Sequence, residues 1–193
     1  MNIKKTANLL LNFAIKRLAE IFGISIFVTG TMLLLALVSY SSDDPNFIFP
    51  DNTQIKNLLG FQGSFISDLF FQSIGLIAYL IPLTLITTGI NVFRTKDFFL
   101  VVENIFFVVL YSMIGSLFFS HFYSEGFTLY INGNGGFIGS YLNQTFLNSF
   151  IIINQSVSYY IFILLIFLMF LIIVNFNLNS FFIILKKVYK FFF

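Results

Sequence analysis

Apolar positions along this chain gather into four uncharged runs, each close to the roughly 20 residues a helix needs to cross about 30 Å of hydrocarbon. They cover residues 21–40, 69–93, 104–123 and 157–174. The second contains Pro82, which a membrane helix tolerates because its neighbours can satisfy the carbonyl that proline frees. The fourth, around YIFILLIFLMFLIIV, is the most apolar stretch of all. Polar residues separate the runs at 41–68 and 124–156. Within the latter, 135–150 is apolar in places, but Asn143, Gln144, Thr145, Asn148 and Ser149 make it too polar and too short for a fifth crossing. It reads as a surface or half-inserted helix. The expected fold is all-α: a polytopic membrane protein, a bundle of four transmembrane helices with that extra helix in the second outer loop.

Composition agrees with this picture. The 193 residues are 58% hydrophobic and 9% charged, with a mean hydropathy of +0.94, which excludes both a soluble single domain and a disordered chain. There is no cysteine, so neither a disulfide framework nor a thiolate site is available. A net charge of +2 offers no basic surface for nucleic acid. The thirty Phe and absent Trp read as codon bias and carry no functional weight.

Charge placement sets an orientation. Lys4, Lys5, Lys16, Arg17, Arg94, Lys96, Lys186, Lys187 and Lys190 all fall on one side of a four-span arrangement, and Lys56 alone on the other, beside Asp43, Asp44, Asp51, Asp68 and Glu125. Because Lys and Arg are retained in the cytoplasm, both termini are expected inside and the loops 41–68 and 124–156 outside. The chain then divides into a basic tail (1–20), a membrane domain (21–175) and a cytoplasmic juxtamembrane helix (176–193) whose lysines meet anionic lipid heads. A cleaved signal peptide fits the early basic residues, but the first run is too long for it and SYSSDDP offers no A-x-A site.

Catalytic or transport chemistry finds little to stand on. No span holds a charge at mid-depth, where ionisable residues are functional by default. Glu20, Arg94 and Glu103 fall near the inner interface and Asp68 near the outer one, where it is expected in the first turn of its helix, favoured by the dipole. His121 stands four residues before Glu125, but two ligands do not make a metal site. NGNGGFIG resembles a phosphate loop only by eye: Ile138 stands where G-x-G-x-x-G needs its third glycine, and no Lys follows. No cofactor or metal is expected, and the chain is not expected to be an enzyme.

The spans do carry packing information. At about 100° per residue Gly75, Ala78, Pro82 and Gly89 of the second helix fall within a stripe about 60° wide, and Ser112, Ser116 and Ser120 recur on the third beside Gly115. Small residues on one face let another backbone approach closely. Asp44-Pro45 is expected to open a turn just outside the membrane, and Ser64 or Ser67 to cap the second span.

Several of these residues form ordered motifs: R-L-A-E-I-F-G at 17–23 (Arg17, Glu20, Gly23), S-Y-S-S-D-D-P at 39–45 (Ser39, Tyr40, Asp44, Pro45), N-L-L-G-F-Q-G-S-F-I-S-D-L-F at 57–70 (Asn57, Gly60, Gly63, Asp68), G-L-I-A-Y-L-I-P at 75–82 and N-G-G-F-I-G at 134–139 (Gly135, Gly136, Gly139). Their order and spacing resemble the N-terminal four-helix membrane domain of the FtsK/SpoIIIE family of septal DNA translocases, over roughly 17–175. That resemblance implies an anchor in the bacterial inner membrane at the division septum. It implies contacts with other division proteins and a homo-oligomer, a hexamer if family-like. Members continue into a polar linker, a RecA-like ATPase and a DNA-reading winged helix. None of these is expected in this chain, so the segment itself should not touch nucleic acid; a motor-less relative and the amino-terminal piece of a longer chain both fit. The alternative function, from a different class, is a small transporter or channel subunit.

Overall fold

The computed structural model describes residues 3–45, 54–124 and 132–175. All regular structure in them is helical: α1 (Ile3–Val38), α2 (Gly60–Ile74), a 3-10 segment (Gly75–Tyr79), α3 (Leu80–Thr95), α4 (Phe99–Phe122), α5 (Gly136–Asn143), α6 (Phe146–Ile153) and α7 (Gln155–Val174). Four helical stretches are long and apolar enough to cross a membrane: Asn8–Val38, Gly60–Thr95, Phe99–Phe122 and Gln155–Val174. The expected juxtamembrane helix at 176–193, together with Glu125 and Asp51, lies outside the described residues.

The basic tail is not separate from the first span. α1 is one helix of 36 residues, about 54 Å at 1.5 Å per residue against about 30 Å of hydrocarbon. Nothing between Asn8 and Val38 breaks it, since Gly23 and Gly30 sit mid-helix where α3 comes close. A Cβ on Gly23 would lie 2.7 Å from the Phe93 amide, and one on Gly89 would lie 2.6 Å from the Gly23 carbonyl. These two glycines let α1 and α3 touch backbone to backbone, the closest approach two helices can make without hydrophobic driving force between them.

The second span corrects two expectations. α2 starts at Gly60, so Asp68 stands eight residues into it rather than in its first turn, and the N-cap position is Leu59, with no side-chain cap. Ser64 instead donates to the Pro45 carbonyl (3.0 Å) and Ser67 to the Ser64 carbonyl (3.0 Å). α2 is about 22 Å long, yet contacts near both of its ends converge on 36–40 at the end of α1. Asn57 donates to the Ala36 carbonyl (2.9 Å), the Leu58 amide donates to Ser39 Oγ (3.0 Å), and the Phe71 ring lies 4.8 Å from that of Tyr40. A helix that stays level with one turn of its neighbour runs across it. α2 therefore lies over the end of the bundle, and at Gly75 the chain turns into the 3-10 segment and α3, which packs along α1. The arithmetic that put Gly75, Ala78, Pro82 and Gly89 on one stripe assumed unbroken helical phase, which Gly75 interrupts with φ 72° and ψ −149°.

α5 and α6, eight residues each, are too short to span, and α5 rests on α4 and α2. The core sits beneath this cover: Leu33 and Leu37 of α1, Phe71 and Ile74 of α2, Ile77 and Ala78 of the 3-10 segment, Tyr111 of α4 and Ile173 of α7.

Candidate functional site

The buried polar side chains concentrate at the α2 end of the bundle, and they build a hydrogen-bonded platform. Its first half is a clasp between the 39–45 turn and the start of α2. Asp44, 1% exposed, accepts the backbone amides of Lys56 and Asn57 at 2.8 Å each. The Asn57 side chain donates to the Ala36 carbonyl and accepts the Leu59 amide (3.0 Å). Gly63 has no room for a Cβ against the Asn57 side chain, and Asp68 Oδ1 accepts the Tyr40 hydroxyl at 3.2 Å. Each bond satisfies a buried or half-buried group that would otherwise lack a partner, a loss that costs about 1–3 kcal/mol. Asp43 differs from its neighbour: it pairs with Lys56 at 2.8 Å, with both side chains mostly exposed. Hydrogen bonding to the Lys56 ammonium holds the Asp43 carboxyl below its ordinary value, and solvent screening leaves that pair little influence on stability.

The second half is the corner at Gly75. The Leu76 amide donates to the Asn134 carbonyl (2.9 Å), and Ser116 Oγ donates to the Ile74 carbonyl (2.8 Å). Gly136, at φ 64°, would place a Cβ 2.6 Å from the amides of Gly75 and Ile74. Gly135 and Gly139 lie against the Ser116 carbonyl and Ser120. The glycine turn is thus the piece that lets α5 dock on α2 and α4, with the Asn134 side chain donating to the Tyr123 carbonyl. His121 Nδ1 lies 3.2 Å from Asn143 Oδ1, so the lone histidine ties α4 to the end of α5.

The residues expected to pack meet several different neighbours. Gly75 meets the glycine turn, Gly89 meets Gly23 and Phe27 on α1, and Gly115 meets Ile77. Ala78 is fully buried in the core, Pro82 is buried in α3, and Ser112 is buried with no hydrogen-bond partner. Gly60 stands at the start of α2, where its amide donates to the Asn57 carbonyl (2.9 Å) and a Cβ would meet nothing within 4 Å. At the opposite end, Glu20 joins Arg17 (2.6 Å) and Lys96 (2.8 Å), linking α1 to the turn between α3 and α4.

Sequence reasoning missed the polar pairs between α3 and α4. Asn104 donates to Thr88 Oγ1 (2.7 Å), and the Thr84 and Tyr111 hydroxyls lie 3.3 Å apart. The signal was present as polar residues within or at the edge of apolar runs, but their partners stand 16 and 27 positions away.

Residues 15–186 match the family model described as the 4TM region of DNA translocase FtsK/SpoIIIE. The chain is 29% identical over 133 residues to a DNA translocase FtsK of Rickettsia typhi, covering 68% of this chain and 18% of that one. It is 38% identical over 69 residues to that of Rickettsia bellii (36% and 9%) and 39% identical over 64 residues to that of Caulobacter vibrioides (33% and 8%). The chain therefore spans less than a fifth of the length of these relatives. No solved structure matches it. With four apolar helices, a docked surface platform and a family match over most of its length, this chain belongs to the FtsK/SpoIIIE four-transmembrane family.

Proposed function

We propose that this chain is the membrane anchor and assembly module of a bacterial cell-division DNA translocase, holding it in the inner membrane at the septum. The observation that carries this reading is the match of 15–186 to the membrane region of the family, a region that makes up less than a fifth of the relatives' length. Both termini lie in the cytoplasm, where a motor would attach, and the α2/α5 platform faces outward, where other division proteins would meet it. Copies of the chain assemble with one another, as a hexamer if the family ring holds, and this segment neither hydrolyses nucleotide nor contacts DNA. The transporter or channel alternative needs polar groups waiting at mid-depth, whereas Thr84 with Tyr111 and Thr88 with Asn104 direct their hydrogen bonds at each other.

Orientation is testable by reporter fusion. A reporter active only outside the cytoplasm should be active after Gln54 and after Asn132, and inactive after Lys96 and after Asn175. The basis is that nine of the ten Lys and Arg fall on one side. Activity at Lys96 would contradict the four-span arrangement.

A further inference from the structure

Two depressions adjoin on the flank of the platform and share Leu69 and Ser73. The upper, about 390 Å³, is lined by Asp68, Gln72 and Asn132 together with the rings of Phe65 and Phe137. The lower, about 290 Å³, is an apolar trough under α2 that passes Ile74 and Ile81 and reaches Val108, Val109 and Met113 of α4. We propose that together they form a phospholipid site, in which the upper pocket takes the primary ammonium of an ethanolamine head group and the trough takes one acyl chain.

Charge selects the head group. Asp68 is only 5% exposed, and a carboxylate removed from water needs a compensating charge. Among the described residues it forms no ion pair, and no Lys, Arg or His lines either depression. The Tyr40 hydroxyl donates to its Oδ1 without neutralising it. The amide oxygen of Gln72 accepts from Asn132 at 3.4 Å and keeps a second lone pair for another donor. Phe65 and Phe137 complete the apolar part of the lining. A carboxylate and amide oxygens suit a group with three N–H donors and a positive charge, and they oppose a head group whose net charge is negative.

Depth selects a lipid over a peptide amine. α2 lies across the end of the bundle, so the upper pocket is at head-group level and the trough begins immediately beneath it. Val109 and Met113 are 52% and 41% exposed, as expected of a wall open to hydrocarbon. A lysine from another protein would answer Asp68 and leave the trough empty, whereas a phospholipid fills both. The head-group depth of the pocket and the leaflet that supplies the lipid both rest on the placement of the platform proposed above.

Native mass spectrometry of the purified full chain in detergent tests this. Phosphatidylethanolamine, phosphatidylcholine and phosphatidylglycerol with identical acyl chains would be offered at equal concentration. The wild type should retain phosphatidylethanolamine over phosphatidylglycerol about tenfold, the scale of one hydrogen bond to a charged group. Asp68→Asn keeps an oxygen for Tyr40 and should remove the preference while still retaining lipid. Gln72→Leu leaves the Asp68–Tyr40 contact alone and should reduce the preference severalfold, so it decides the matter if Asp68→Asn does not fold. Equal retention of the lipids by the wild type, or an undiminished preference in the variants that fold, would overturn the proposal. The readout is a ratio on isolated protein, so a failure of septal placement in cells would leave it standing.

Discussion

Replacing Gly75 by alanine should unfold the α2/α5 platform, while the same change at Gly60 should be nearly tolerated. Both glycines have positive φ, 72° and 66°. They differ in surroundings: Gly60 has nothing within 4 Å of a Cβ, whereas at Gly75 the Cβ would run into the backbone of Asn134 and Gly135. Gly75 also combines its φ with ψ −149°, a region that is essentially glycine-only. A backbone strain of about 1–3 kcal/mol adds to about 1–3 kcal/mol for overpacking a close contact. Because the Leu76 amide bonds the Asn134 carbonyl at this same point, relief of the clash breaks the joint. Thermal unfolding of the detergent-purified protein reads the contrast: a large fall in melting temperature for Gly75→Ala and a small one for Gly60→Ala. Equal falls would mean that the glycine turn does not dock at the corner.

The adjacent aspartates should give opposite results. Asp44→Ala strands two amide donors, those of Lys56 and Asn57, at about 1–3 kcal/mol each, and so should cost roughly 2–6 kcal/mol. Asp44→Asn keeps one accepting oxygen and should lose about half as much. Asp43→Ala removes only an exposed ion pair and should leave the melting point where it is. Acidification follows the same logic for Asp43. Its lowered pKa means that the small contribution of that pair is present at neutral pH and fades as pH falls through the folded-state value. If Asp43→Ala were as damaging as Asp44→Ala, the clasp would not be the joint between α1 and α2.

What the sequence made legible follows from how far apart the interacting residues are. The four apolar runs could be read because hydrocarbon imposes a local rule, about 20 uncharged residues in a row. The break in helical phase at Gly75 could not. Leu69 to Ile74 reads on without interruption into the next apolar residues, and hydropathy does not report a change of helix direction. The mark of the break is Gly75, where a Cβ would meet the backbone of Asn134, a residue far along the chain. The clasp was similarly hidden, since Asp44 acts on amides 12 and 13 positions away. The motif positions Ser39, Tyr40, Asp44, Asn57, Gly63 and Asp68 were singled out by resemblance, and their contacts give them physical work as parts of one joint. Glu20 was visible as an interfacial charge, but its bond to Lys96 required the fold that brings α1 beside the α3–α4 turn. Helix length was underread at α1, where uncharged Asn8 to Ile15 continues the helix below the apolar run.

Fluorescence microscopy of the chain fused at its C-terminus, in dividing cells of a bacterium whose other division proteins are labelled in a second colour, tests the account most directly. The account predicts that the fusion concentrates at mid-cell together with them. A uniform distribution around the membrane, in cells whose other division proteins are at mid-cell, would contradict the septal role and leave a membrane anchor of the family without its proposed address.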